Sequence, residues 1–121
     1  MKYLCLIYDD ESTWATMPKA ESDAMMDEYF AFTTGILQSG HYVAGEALQP
    51  VSTATTVRIR NGKLSTTDGP FAETKEQLGG FYLIEARDLN EAIQVAAKIP
   101  PAREGSVEVR PVRELDVRSA N

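Results

Sequence analysis

The chain has 121 residues, 43% of them apolar, and its 12 Lys and Arg against 18 Asp and Glu give a net charge of −6. These values are typical of one folded domain and exclude a disordered chain, in which hydrophobicity would be lower. Because the chain has one cysteine and one histidine, an internal disulfide, a cysteine-based zinc site and a multi-histidine metal centre are excluded.

The first half of the chain predicts a strand, a long helix and a second strand. Residues 3–8 form an unbroken apolar run, typical of a central strand buried on both faces. The helix has Pro18 in its first turn and ends at Ser39-Gly40. Its apolar residues recur at spacings of three and four and form one broad face, made of Met25, Met26, Tyr29, Phe30, Phe32, Thr33, Ile36 and Leu37. Residues 41–44 form the second strand.

A β-hairpin is the clearest local prediction. Asn61-Gly62 separates two runs in residues 55–67, and this dipeptide between alternating residues is the signature of a type I′ turn. After a polar connection, residues 79–85 form another strand.

A short helix and a last strand complete the pattern. Asp88 and Glu91 form a capping box at the start of the helix. The apolar stripe of this helix is predicted to be Leu89, Ile93 and Ala96. Residues 107–112 alternate, and Pro111 predicts that this strand lies at a sheet edge.

The order of these elements is β-α-β, a hairpin, then β-α-β. It predicts an α+β ferredoxin-like sandwich, or α/β plait: an antiparallel sheet with an inserted hairpin and two helices on one face. We expect one domain over residues 1–114 and a loose polar tail over residues 115–121. The uncovered sheet face predicts a homodimer through the sheets.

The segment 68–82 holds more polar side chains than a turn requires. Asp68, Gly69 and Pro70 suffice for a turn, yet Glu73 and Lys75 follow closely. DGPFAETKEQLGGFYLIEA closely resembles the signature of the YCII-related proteins known as the DGPF family. KYLCLIYDDE, GEALQPVSTATTVRIRNGK and GSVEVRPV are similar to the same family, so the resemblance extends over residues 2–113.

The resemblance implies a ferredoxin-like dimer with a cleft beside the signature loop, in a bacterial family that is mostly uncharacterised. Some members lie beside, or are fused to, sigma factors of the extracytoplasmic-function type. A few relatives in the wider YCII group are enzymes thought to use a His–Asp pair. This chain departs from that pattern, because the predicted helix over residues 18–38 has no histidine and His41 follows it.

Each candidate site residue has a functional and a structural interpretation. Asp68 is a candidate general base or ligand anchor, and it also fits as an acceptor within its own turn. His41 fits as a proton carrier or as a cation at the helix end. The candidates for ligand binding are Tyr8, Glu46, Phe71, Glu73 and Lys75. Tyr8 equally fits a core or interface, and the charged residues equally fit a solvated surface.

Two functions are therefore predicted. The first is a small-molecule-binding domain, which as an enzyme would use cofactor-free acid–base chemistry such as elimination or isomerisation. The second is an interaction module linked to transcription through a sigma factor, with Asp23, Asp27 and Glu28 as its acidic surface.

Charge and hydropathy bound the partners. Residues 1–54 carry the whole acidic excess, which argues against nucleic acid and anionic membranes as partners. The sequence has no apolar run of about 18 residues, so no membrane span is predicted. The opening residues soon turn acidic and are unlike a secretory signal. We expect a cytoplasmic protein that uses neither a metal nor another cofactor.

Overall fold

In a computed structural model that describes residues 1–115, the chain forms six strands and three α-helices. In chain order they are β1 (Lys2–Asp9), α1 (Glu11–Thr16), α2 (Lys19–Gln38), β2 (Tyr42–Ala47), β3 (Thr55–Arg60), β4 (Lys63–Asp68), β5 (Gln77–Glu85), α3 (Leu89–Ala96) and β6 (Ser106–Pro111). Two short 3-10 helices lie at Val51–Thr53 and Pro100–Arg103. Beyond Leu115, the predicted tail lies outside the described residues.

Four strands form an antiparallel sheet in the order β2-β5-β1-β6. The units β1-α2-β2 and β5-α3-β6 interleave in this order, which confirms the predicted ferredoxin-like α+β arrangement. β1 is central, with β5 and β6 on its two sides. β6 lies at an edge, as Pro111 predicted, because an edge strand tolerates a residue without an N–H.

One face of this sheet carries the core. Alternate residues of β1 point towards the helices, and Cys5 among them is 0% exposed. The buried core consists of Tyr3, Cys5, Ile7, Phe32, Ile36, Ile84, Ala86, Ala92, Val95, Ala96 and Ile99. Burial raises the pKa of the Cys5 thiol to about 11, so this side chain is a neutral apolar filler.

The other face of the sheet is apolar but only half-buried. Leu4, Leu6 and Tyr8 point to this face, and their partners on β5 are Leu83, Phe81 and Leu78. All six remain partly exposed in the single chain. β1 is thus fully buried on one face only, which corrects the prediction of burial on both.

α2 buries a narrower face than its spacing predicted. Phe32 and Ile36 are buried, whereas Phe30 and Leu37 are 64% and 56% exposed. A helix that lies on a flat sheet buries one row of side chains deeply, so the second apolar row of α2 points to the side. No helix within residues 1–115 combines the length and apolar character that a membrane span requires.

α3 begins as predicted but buries different residues. The Asp88 side chain accepts a hydrogen bond from the Glu91 N–H at 2.9 Å and caps the helix. The buried stripe is Ala92, Val95 and Ala96, while Leu89 and Ile93 are exposed. The predicted stripe is therefore confirmed at Ala96 and was wrong at Leu89 and Ile93, because the face of the helix that packs on the core runs through Ala92 and Val95 instead.

The predicted hairpin forms a separate two-stranded ribbon of β3 and β4. Asn61 and Gly62 have φ angles of 52° and 75°, as a type I′ turn requires. β4 ends at Asp68, which pairs with Thr55 at the base of the ribbon.

α1 was not predicted. Asp10 caps it by accepting a hydrogen bond from the Ser12 N–H at 2.9 Å. The six residues of α1 bury no side chain, so they carry none of the apolar spacing by which a helix is recognised.

Candidate functional site

The helix-covered side of the sheet contains a cavity of about 650 Å³ next to β2, called here the larger cavity. α2 forms one wall through Tyr29 and Phe30. β2 and β5 form the floor through Gly45 and Tyr82, and α1 closes one end through Trp14. The cavity lies beside the exposed apolar row of α2, which explains why that row is not packed into the core.

Two glycines shape the floor of the larger cavity. A Cβ atom on Gly45 would lie 2.7 Å from a ring carbon of Tyr82, and one on Gly80 would lie 2.8 Å from the backbone oxygen of Glu46. Both distances are too short for real contacts. Glycine at these positions therefore lets β2 and β5 approach each other and leaves room for the Tyr82 ring beside Gly45.

Tyr82 is fixed from several sides. Its hydroxyl lies 2.7 Å from the Thr33 hydroxyl of α2. Its ring makes edge contacts with Phe32 and Tyr42, at centroid distances of 5.1 Å and 6.4 Å. Such T-shaped contacts are favourable and directional, so the floor of the cavity is held in one arrangement.

A carboxylate lies at the α1 end of the cavity. The alternation of β1 places Asp9 on the helix side of the sheet, where its Oδ2 accepts a hydrogen bond from the Trp14 Nε1–H at 2.8 Å. Burial, followed by the negative charge of Asp9 and the nearby Tyr82, raises the pKa of Tyr29 above its ordinary value. The phenol of Tyr29 is therefore a neutral hydrogen-bonding group.

Glu11 and Gln77 connect α1 to the rest of the site. The Glu11 N–H donates to Oε1 of Gln77, and Glu11 Oε2 accepts from the Val51 N–H, both at 2.9 Å. The Nε2 of Gln77 in turn donates to the Thr74 carbonyl at 2.7 Å. These bonds tie α1 to Val51 and to the segment 68–82, and they hold a helix that has no fully buried side chain.

A smaller cavity of about 250 Å³ lies on the other side of α1. Lys75 and Glu104 line it, and Asp9 and Trp14 line both cavities. Trp14 is therefore part of the wall between the two spaces. Within residues 1–115, no three His, Cys, Asp or Glu side chains come close enough together to hold a metal ion.

The segment 68–82 divides into two parts. Its second part reaches the cavities: residues 79–82 line the larger cavity, and Lys75 and Glu76 line the smaller one. Its first part lines neither of them. Asp68 is exposed at the end of β4, Phe71 is 82% exposed, and Glu73 is exposed in the loop.

The remaining predicted site residues lie apart from one another. Glu46 belongs to the lining of the larger cavity, but its pairing with Phe81 puts its side chain on the opposite face of the sheet, where Tyr8 also lies. The two ring nitrogens of His41 lie 2.6 Å from the Ser39 hydroxyl and 3.2 Å from Glu91 Oε1. No contact among the described residues joins His41 to Asp68, and the catalytic roles of both stay predictions.

The acidic surface expected to meet a sigma factor is partly used within the chain. The Lys19 ammonium lies 2.8 Å from Asp23, and Arg103 lies 2.5 Å from Glu28. Two of the three carboxylates thus form exposed ion pairs within the chain, and the interaction with a sigma factor stays a prediction.

Most residues of the larger cavity were not predicted as site residues, and Trp14, Tyr29 and Asp9 show why. Trp14 lies in the unpredicted helix α1, and Tyr29 was assigned to the apolar face of α2 because a cavity wall and a core have the same spacing. Asp9 offered one usable signal: it continues the alternation of Cys5 and Ile7, so it points to the same side as the core.

The chain is similar to known proteins over a region that includes the residues lining both cavities. The YCII-related domain family matches residues 1–116. An uncharacterised protein of Rhizobium meliloti (strain 1021) is 40% identical over 114 residues, which is 93% of this chain and 92% of that protein. All four sheet strands, the ribbon and the three helices lie within the matched region. The chain therefore belongs to the YCII-related domain family.

Proposed function

We propose that this YCII-related domain binds a small organic molecule in the larger cavity. The volume of about 650 Å³ carries the proposal, because ligand pockets typically measure roughly 300–1,000 Å³ and combine apolar walls with a few polar groups. Several aromatic side chains line these walls, and the polar groups include the carboxylates of Asp9 and Glu11 and the hydroxyls of Tyr29 and Thr33.

The fixed floor supports binding rather than incomplete packing. Tyr82 is held by Thr33 and by two neighbouring rings, and Trp14 is held by Asp9. A site whose walls are already ordered loses little conformational entropy when a ligand enters. An unfilled defect in a core would lack these directional restraints.

A screen of small organic fragments by ¹H–¹⁵N NMR tests the proposal. We expect shift changes at the Trp14 indole N–H and at the amides of Gly45 and Gly79. Ala47→Phe should abolish them, because Ala47 lines the cavity opposite Gly80. Ala20→Phe, at an exposed position of α2, is the matched control.

The same screen separates the cavity from the signature loop. Asp68→Asn should leave fragment binding unchanged if the larger cavity is the site. Shift changes centred on Asp68 and Phe71, or a failure of every fragment to bind at millimolar concentration, would overturn the proposal. Catalysis at Asp68 and His41 would then need its own ligand, since neither residue lines the larger cavity.

We also propose that two copies associate through the half-buried sheet face. Six partly exposed apolar side chains on β1 and β5 support this assembly, because an apolar patch of this kind is usually covered by a partner. Light scattering should give twice the chain mass of 13.3 kDa. Leu6→Lys should give the single mass, and Val57→Lys on the ribbon is the control. A monomer at micromolar concentration in the parent protein would contradict the assembly.

A further inference from the structure

The larger cavity is lined by negative charge and by no positive charge. Two carboxylates, those of Asp9 and Glu11, belong to its lining, and none of the described lining residues is Lys, Arg or His. The local potential is therefore negative, and the low dielectric of an aromatic-walled site strengthens its effect on a ligand. A carboxylate or phosphate ligand would enter without a counter-charge.

Asp9 is the carboxylate best placed to meet a ligand. One of its oxygens, Oδ2, accepts the Trp14 N–H. The other, Oδ1, accepts no hydrogen bond from residues 1–115 and faces Gly79, where a Cβ atom would lie 3.5 Å away. The strand thus presents no side chain beside this oxygen, and the Asp9 carboxylate keeps one free acceptor at the cavity.

The aromatic walls favour the same ligand charge. Trp14, Tyr29 and Tyr42 line the larger cavity together with the floor ring of Tyr82. The faces of aromatic rings carry negative potential and attract ammonium groups within about 6 Å. The neutral phenol of Tyr29 adds a hydrogen-bonding group without adding a charge that would need compensation.

We propose that the ligand of the larger cavity is an organic amine with an aromatic body, whose ammonium group binds Asp9 and whose ring packs between α2 and the Tyr82 floor. This proposal rests on the proposed function, since it names the class of molecule that enters the same cavity. A bare divalent cation does not fit, because the described residues bring no third metal ligand to Asp9.

Three probes of nearly equal shape test the charge preference: 2-phenylethylamine, 2-phenylethanol and phenylacetate. Trp14 is the only tryptophan of the chain and lines the cavity, so its fluorescence reports binding directly. At pH 7 we expect the amine to bind about tenfold more tightly than the alcohol, because one charge-assisted hydrogen bond to Asp9 gives a difference in affinity of about this size. Phenylacetate should bind weakest.

Asp9→Asn removes the charge and keeps a side-chain oxygen for the Trp14 N–H. It should reduce the affinity for the amine about tenfold, to that of the alcohol, and leave the affinity for the alcohol within about twofold. Asp27→Asn makes the same charge change at an exposed position outside the larger cavity and should change neither.

The outcomes separate the two proposals. If the alcohol binds as tightly as the amine, or phenylacetate binds more tightly, the charge preference is refuted while the cavity remains a binding site. If Asp9→Asn weakens all three probes equally, Asp9 only positions Trp14 and the proposed contact is refuted. If none of the probes binds and the fragment screen is also negative, the proposed function fails as well.

Discussion

Alanine at Gly80 tests whether the glycines of the signature segment shape the cavity floor. The added methyl carbon would lie 2.8 Å from the Glu46 backbone oxygen and 3.4 Å from the Cα atom of Ala47. Both neighbours are backbone atoms of β2, so no side chain can rotate away. β2 must move, and its pairing with β5 must loosen.

The size of the effect follows from this geometry. A methyl group forced into a packed region costs about 1–3 kcal/mol, since the backbone shifts by several tenths of an ångström. Gly79 provides the matched control, because a Cβ atom there would meet only Asp9 Oδ1, at an ordinary 3.5 Å. Where alanine fits, replacing glycine stabilises by about 0.4–1 kcal/mol, because the unfolded chain loses freedom.

Urea unfolding followed by Trp14 fluorescence measures the difference. We expect Gly80→Ala to lower the free energy of unfolding by about 1–3 kcal/mol and Gly79→Ala to leave it unchanged or slightly higher. Equal effects of the two substitutions would refute the reasoning, because only the Cβ atom at position 80 would meet the backbone of β2.

Three further predictions concern groups outside the cavity. The Cys5 thiol should resist thiol reagents in the native protein at pH 8 and react once the chain unfolds, since its pKa is raised to about 11. The unfolded thiol ionises from about pH 9, whereas the folded thiol stays neutral. The parent should therefore lose up to about 2–3 kcal/mol of stability between pH 9 and 11 relative to Cys5→Ala. If the free energies of unfolding of the two proteins change in parallel with pH, the prediction is wrong. Hydrogen bonds from the Arg87 N–H and from His41 lower the pKa of Glu91 below its ordinary 4.5. The Glu91 carboxylate therefore stabilises the fold fully above pH 4.5, and this stabilisation is lost as pH falls through the lowered pKa. Thermal unfolding measured across this pH range should show a smaller acid-induced loss of stability in Glu91→Gln than in the parent. An equal loss in both proteins would show that Glu91 does not contribute. Asn61→Ala should destabilise the ribbon by about 1 kcal/mol, because Asn61 has a φ angle of 52°, whereas Asn61→Gly should retain stability in chemical denaturation.

Local signals accounted for most of the fold. Asn61-Gly62 specified the ribbon, Pro111 placed β6 at an edge, and Asp88 marked the start of α3, because each feature acts through its own backbone. The ferredoxin-like arrangement followed from the order of the elements, in which two β-α-β units flank a hairpin. None of these inferences required knowledge of which side chains meet in space.

The candidate site depended on contacts that no local pattern encodes. Spacing showed two apolar rows on α2, but only packing decided that Phe32 faces the core and Phe30 the cavity. Asp68 drew attention because it opens the signature segment, whereas the cavity is built from the glycines at its other end. The requirement for glycine at position 80 comes from its contact with β2, which lies more than 30 residues earlier in the chain.

Trp14 makes the two cavities mutually dependent. Its indole belongs to the wall of both, and it is held by one hydrogen bond to Asp9 on a helix that buries no side chain. A displacement of the indole towards one space would narrow that space and widen the other. A ligand that moves the indole from the larger cavity would therefore change the space beside Lys75, although it would not touch that residue.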